Sequence, residues 1–427
     1  MVGWIIAAFG VTIFAAIPIG FCLAFVPMLY MMIFTEIPMT VISHEMFSVL
    51  DSFPLMAIPL FIMAGQLMNV TGITLQLVNL ANALVGHIRG GLAHINIVVS
   101  MLFAGLNGSA VADTVAVGTI LIPAMREEGY PPGFSGAVTA ASATIGAIIP
   151  PSVVMVLYGS ILGVSVGGLF AAGIIPGILI GLSLICVAYI ISVKRKYAVH
   201  SDKFSIWKLL VAIKSTFLAL LMPVIIIGGI VFGITTTTEA AGIAVLYAVF
   251  LGTVVYRNLT FKKFINVCYQ SGVTAGIILL IVGASAPFGW LLTVLNLPTL
   301  ISNFVTGITT NKYLILLMLN IIMLFAGMLL DVTANILILG PILSNIAIAV
   351  GVHPLHFALV MVVNLIIGLA TPPVGTTLFA AVPLAKTSVE DISIAIIPFI
   401  LVQIFVLIII TYIPSVCMWI PTLLGFV

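Results

Sequence analysis

The segments Ile148-Ile-Pro-Pro-Ser152 and Ala370-Thr-Pro-Pro-Val-Gly-Thr-Thr377 each set two consecutive prolines inside a long apolar run. A proline pair removes two backbone donors, and the residue before a proline is pushed out of the helical region. A helix that meets such a pair stops and restarts. At membrane depth the freed carbonyls find no water, and irregular backbone is tolerated there only inside protein or beside a cavity. An ion can satisfy such carbonyls. Half-helix ends and unwound carbonyls are how membrane transporters coordinate Na+ and anionic groups. The hydroxyls of Ser152, Thr371, Thr376 and Thr377 can add oxygens. A proline kink sealed by neighbouring helices would account for one break alone; a matched pair points to function.

The two segments are matched. Shifted by 222 residues, the two halves of the chain align without a gap. Met101-Leu-Phe-Ala-Gly105 falls on Met323-Leu-Phe-Ala-Gly327, Gly129 on Gly351, and Ile145-Gly146 on Ile367-Gly368. Apolar matches carry little weight in so apolar a chain, but proline matches do. Six prolines lie in 101–180 and six in 323–402, and four coincide at this offset: Pro132/Pro354, Pro150/Pro372, Pro151/Pro373 and Pro176/Pro398. Chance would give roughly half of one coincidence.

Composition places the chain in a bilayer. Of its 427 residues, 63% are hydrophobic and 6% charged, against about 25% charged in soluble proteins. Apolar stretches of membrane-spanning length recur throughout. Segment 3–34 is too long, and too like the rest, to read only as a signal peptide. The net charge of +2 comes with no basic cluster suited to nucleic acid. Cys22, Cys186, Cys268 and Cys417 are dispersed in apolar runs, as packing residues are. No CxxC, HExxH, GxSxG or Walker loop occurs, so an enzyme is not expected.

The basic residues set the topology. Lys194, Arg195, Lys196, Lys203, Lys208 and Lys214 share one linker, and Arg257, Lys262 and Lys263 another; the positive-inside rule puts both in the cytoplasm. Spans are expected at 4–30, 53–84, 169–193, 217–234, 239–256, 264–295 and 391–420, with 35–52 at the outer surface. Residues 88–128 and 312–351 are each interrupted halfway by glycine and polar residues, and read as re-entrant hairpins entering from opposite sides. The proline-pair segments also run in opposite senses. The expected fold is therefore an all-α polytopic membrane protein, an inverted repeat with two re-entrant hairpins and two broken helices. That arrangement marks secondary transporters.

The hairpin tips carry polar chemistry. Asn107-Gly-Ser109 leads to Asp113, and the offset sets Ser109 on Asp331 and Asp113 on Asn335. In each half polar residues sit four apart, on one helical face after the tip. Asp113 and Asp331 are the two carboxylates expected at membrane depth, where an acid is a functional candidate by default; the competing role is a helix cap. Glu239 reads as an interfacial cap. His87, His94, His353 and His356 are expected at the interface.

Together these residues resemble the large membrane subunit of the tripartite ATP-independent periplasmic (TRAP) transporters, from about residue 3 to 425. The specific parts are Phe53-Pro-Leu-Met-Ala-Ile-Pro-Leu-Phe-Ile-Met-Ala-Gly65, Asn107-Gly-Ser-Ala-Val-Ala-Asp113, Ile149-Pro-Pro-Ser152, Thr237-Thr-Glu-Ala-Ala241 and Thr371-Pro-Pro-Val-Gly375. The resemblance implies a bacterial inner-membrane, Na+-coupled importer with an elevator mechanism. It implies a four-helix small membrane subunit and a periplasmic substrate-binding protein as partners. Scaffold helices would occupy 1–87 and 168–310, the transport domain 88–167 and 311–386, and a C-terminal helix 387–427. One Na+ site would map to Gly108, Ser109 and the carbonyls from Ile149 to Ser152. The other would map to Gly327 and the run Thr371, Val374 and Gly375. Substrate would lie near Ser109, Asp113, Ser152, Asp331 and Thr376. Aspartates at both tips suit hydroxyl groups better than a second carboxylate, which favours a sugar acid such as sialic acid. The alternatives are a C4-dicarboxylate permease of the same family and a stand-alone ion-coupled anion permease. A channel would need a continuous polar lining, and polarity here is confined to the two tips.

Overall fold

The computed structural model describes residues 2–15, 17–197, 199, 204–309 and 311–427; Lys203 of the basic linker lies outside them. The described chain is helical throughout, apart from one isolated bridge between Arg89 and Val199. Among the described residues eight helices are long and apolar enough to cross a membrane. The number is nine if Pro132–Ile148 and Val153–Leu162, bent by 45° at the first proline pair, form one span. The chain is a polytopic membrane protein.

Three expected spans end elsewhere, each for a local reason. The span at 4–30 is two helices, Val2–Phe14 and Ile19–Phe34, because Ile17 precedes Pro18 and is driven from helical geometry. The span at 53–84 breaks into Phe53–Val70 and Ile73–Val85 around Gly72, whose φ of 78° is left-handed. The last helix, Val389–Tyr412, stops at Ile413, which leaves helical geometry before Pro414; a short helix, Ser415–Leu423, follows. Helices Ile206–Val231 and Thr237–Phe250 form the expected out-and-back pair, with Glu239 closing a capping box on Thr236. His94 and His356 are buried within the protein, each against a backbone carbonyl, that of Arg89 and that of Ile410.

The repeat is visible in three dimensions. Hairpin 1 comprises Gly91–Asn107 and Ala110–Glu127; hairpin 2 comprises Lys312–Leu329 and Val332–Ala349. Their tips and C-terminal ends fall at the same offset of 222. Each is followed by a broken helix: Pro132–Ala143, Ile145–Ile148 and Val153–Leu162 in the first repeat, Pro354–Gly368 and Thr376–Ala385 in the second. Helices Val166–Lys194 and Val389–Tyr412 close the two repeats.

The repeats interlock reciprocally. A Cβ at Gly118 of hairpin 1 would lie 2.9 Å from Leu384 of the second broken helix; one at its mate Gly340 would lie 3.0 Å from Leu162 of the first. Leu162 and Leu384 are themselves 222 apart. Each hairpin thus seats the other repeat's broken helix on a glycine. Buried amides add cross-ties. Asn96 donates to Thr139 Oγ1 at 2.7 Å, and Ser142 donates to Asn96 Oδ1 at 3.0 Å. Asn364, the repeat mate of Ser142, donates to Asn320 Oδ1 at 2.7 Å. Gln403 reaches from Val389–Tyr412 to Ala141 O and Thr144 Oγ1. Helix Val166–Lys194, expected among the scaffold helices, turns Gly173, Gly177 and Gly181 toward Ile148 O, Ile149 and Met101.

Filling these seats should loosen the fold. Gly118→Val or Gly340→Val, measured by thermal unfolding of the purified chain in detergent, is expected to cost about 1–3 kcal/mol each, the usual range for overpacking. Gly242→Val, at a glycine with open space around it, is expected to change stability far less.

Candidate functional site

The tip of hairpin 1 rests on the first unwound segment. Gly108 takes a left-handed φ of 61°, and a Cβ there would approach Pro151 O to 3.0 Å and Val153 N to 3.1 Å. A side chain would therefore prise the tip off the segment. Ser109 follows as the N-cap residue of Ala110–Glu127, in extended geometry, and its hydroxyl makes no cap bond. Ile149 is extended, the Pro150–Pro151 bond is cis, and Ser152 restarts the helix as its N-cap. The Ser152 hydroxyl is fully buried; it accepts from Met155 N and donates to Ala147 O.

Hairpin 2 repeats the theme with more backbone contact. A Cβ at Gly327 would meet Leu365 O at 3.0 Å, and one at Gly368 would strike the backbone of Gly327 at 2.6 Å. The Pro372–Pro373 bond is cis. Gly375, with φ of 32°, lies against the carbonyls of Leu369 and Thr371; a Cβ would sit 2.9 and 3.0 Å from their oxygens. Thr371 Oγ1 donates to Ile367 O, and Thr377 Oγ1 to Leu369 O. Thr376 Oγ1 is buried without a hydrogen-bond partner, while Val374 is 36% exposed. Backbone oxygens therefore gather around an unwound turn, which is the donor set a hard cation takes.

The two aspartates differ sharply. Asp331 is exposed, and its carboxylate caps Val332–Ala349 by accepting from Thr333 N at 2.9 Å. Asp113 is 1% exposed, one turn into the second helix of hairpin 1, and neither carboxylate oxygen has a hydrogen-bond partner. Ser100 comes close to this carboxylate, yet its hydroxyl donates to Ser142 Oγ at 3.3 Å. Gly146 makes room for the carboxylate: a Cβ there would lie 3.2 Å from Asp113 Oδ2. The repeat mate Asn335 is also fully buried, and its amide donates to Ala326 O at 3.1 Å and Leu330 O at 3.0 Å, tying the tip of hairpin 2 together. A carboxylate at that position cannot donate these bonds.

The structure thus joins Gly108 to the Pro151–Val153 backbone, Gly327 to Leu365 and Gly368, Gly375 to Leu369 and Thr371, and Asp113 to Gly146. No hydrogen bond links Asp331 or Thr376 to Ser109, Asp113 or Ser152 among the described residues. Sequence reasoning missed Gly146 and Gly368, which permit the close approach, and the amide role of Asn335. Ile145-Gly146 and Ile367-Gly368 coincide at the 222 offset, so the signal for the glycines was present in the repeat. Among the described residues no group of three His, Cys, Asp or Glu side chains could hold a metal ion.

Residues 6–416 match the family described as the tripartite ATP-independent periplasmic transporter, DctM component. The chain is 38% identical over 423 residues to the sialic acid TRAP transporter large permease protein SiaM of Vibrio cholerae, covering 99% of each chain. It is also 38% identical to the C4-dicarboxylate TRAP transporter large permease protein DctM of Pseudomonas aeruginosa, over 90% of each. Among solved structures, the YdaH transporter of Alcanivorax borkumensis shares the fold, with a TM-score of 0.62 at 13% identity over 92% of this chain and 90% of that one. A family match spanning nearly the whole chain and two relatives above 30% identity make this chain a member of the DctM family of TRAP transporter large permeases, a transporter subunit and not an enzyme.

Proposed function

We propose that the chain is the large membrane subunit of a Na+-coupled importer of an organic acid in a bacterial inner membrane. It works with a small membrane subunit and a periplasmic substrate-binding protein. The observation that carries Na+ coupling is the contrast between Asp113 and Asn335. At one hairpin tip the buried amide of Asn335 holds two carbonyls by donation. At the other, the carboxyl group of Asp113 is buried with no hydrogen-bond partner among the described residues, at the position repeat-equivalent to Asn335. A buried charge is paired or coordinates a cation. Na+ supplies the positive charge that the amide hydrogens supply in the other repeat. Gly108, Ser109, and the oxygens from Ile149 to Ser152 complete this first site. Gly327, Thr371, Val374 and Gly375 form the second.

The substrate lies between the tips, against Ser109, Asp113, Ser152, Asp331 and Thr376. Thr376 offers an unpartnered hydroxyl at the start of helix Thr376–Ala385, suited to a carboxylate. Exposed Asp331 offers acceptors to hydroxyls. This pair fits a hydroxylated acid, and the likeness to a sialic acid permease supports that reading. Equal identity to a C4-dicarboxylate permease keeps the dicarboxylate as the second reading. Hairpins, broken helices and the two closing helices move as one body in an elevator step. Gln403 and the glycine face of Val166–Lys194 support including both closing helices in it.

Two outcomes test this. Na+ in place of K+ is expected to raise the unfolding temperature of the purified chain. At tenfold over its dissociation constant a single bound ion contributes about 1.4 kcal/mol. Asp113→Asn is expected to lower that rise by one ion's contribution, the second site remaining, while leaving the K+ melting point unchanged or higher; an undiminished Na+ effect in this variant would count against the site. In proteoliposomes with both partners, labelled sialic acid is expected to accumulate only with an inward Na+ gradient and the binding protein. Accumulation of succinate instead would favour the dicarboxylate.

A further inference from the structure

Away from the hairpin tips, a cavity of about 530 Å³ opens between the ends of the two closing helices. Lys194 and Arg195, at the end of Val166–Lys194, form one rim; Thr387 and Asp391, at the start of Val389–Tyr412, form the other. Both basic residues are exposed, and neither makes an ion pair among the described residues; Arg195 donates only a long 3.4 Å bond to Tyr197. Asp391 makes no ion pair with them among the described residues. Its Oδ2 accepts from Thr387 Oγ1 at 2.7 Å, and it sits in the first turn of its helix, where the dipole already favours a negative charge. Lys196 adds a third positive charge next in sequence. The cluster belongs to the linker that the charge distribution assigns to the cytoplasm.

The cavity floor is apolar: Ile191, Ala395 and Pro398. Across the ridge of Ile394, which is 71% exposed, a second groove of about 330 Å³ runs on along Ile397, Ile400 and Leu401 to Thr371 and Pro372. Cationic groups thus stand at the membrane interface, and a greasy track leads from them toward the bilayer interior. An inorganic anion has no use for the track, and a neutral apolar ligand none for the cations. We propose that this surface seats one anionic phospholipid of the inner leaflet. Its phosphate lies between Lys194 and Arg195, and an acyl chain runs over Ile394 against the unwound turn at Thr371-Pro372. Basic pockets between helices on the cytoplasmic side recognise such headgroups. The lipid then touches the edge of one of the two broken helices.

The test is lipid retention by the full chain in detergent, read by native mass spectrometry after equilibration with phosphatidylglycerol or phosphatidylcholine. One phosphatidylglycerol is expected to be retained in preference to phosphatidylcholine. The pair Lys194→Gln and Arg195→Gln is expected to weaken retention by roughly 25-fold, about fivefold for each basic residue. Arg257→Gln with Lys262→Gln, in the other basic cluster, is expected to leave it unchanged. Equal retention of the two lipids, or undiminished retention in the Lys194/Arg195 variant, overturns the proposal. A photoactivatable phosphatidylglycerol acting on the unmodified chain gives a readout free of folding effects: label is expected on residues 387–401, and label only elsewhere is contrary. Neither readout involves transport, so failure here leaves the importer reading standing.

Discussion

A helix interrupted at membrane depth must find partners for its freed backbone groups inside the protein. The rest of this architecture follows from meeting that demand twice. Each proline pair ends one helix and delays the next, and each hairpin brings a tip against the gap. The approach is close because glycine stands at each contact: Gly108 on Pro151 O, Gly327 on Leu365 O, Gly375 on the carbonyls of Leu369 and Thr371. Side chains at these positions would separate tip from gap and expose carbonyls to hydrocarbon.

The same demand explains why the two repeats are alike in backbone and unlike in charge. Reciprocal seats, Gly118 for Leu384 and Gly340 for Leu162, hold the halves in register. Asn96, Asn364 and Gln403 bind neighbouring helices by hydrogen bonds that a lipid-like core would otherwise make costly to leave open. Within that shared frame the buried pair Asp113 and Asn335 departs. Asn335 closes its own tip with two donated bonds, whereas Asp113 brings a buried carboxyl group without a hydrogen-bond partner to the equivalent place. A transporter coupled to a cation gradient needs a site whose charge balance changes with the ion, and this asymmetry is what the proposed coupling rests on.

Much of this was legible in sequence because prolines and glycines are rare signals in an apolar background. The 222 offset located both hairpins and both broken helices, and their observed ends follow it to within one or two residues. The breaks near Ile17, Gly72 and Ile413 were harder to see. Each depends on one residue, and apolar runs on either side hide the gap from any hydropathy window. Burial was invisible for the same reason. Asp113 and Asp331 look equivalent in sequence, yet one lies sealed behind Gly146 and the other caps a helix at the surface. His94 and His356 likewise sit near charged linkers in sequence but inside the core in space. Substrate identity is less legible still, since relatives named for sialic acid and for C4-dicarboxylates share the same 38% identity with the chain over 99% and 90% of its length.

The central claim is that the buried carboxylate of Asp113 holds a cation where its repeat mate holds hydrogen bonds. Equilibrium binding of radiolabelled Na+ to the purified chain measures this without substrate, partners or transport. The account predicts saturable binding that K+ does not displace and that falls by one ion per chain in Asp113→Asn. Undiminished Na+ binding in that variant would contradict it.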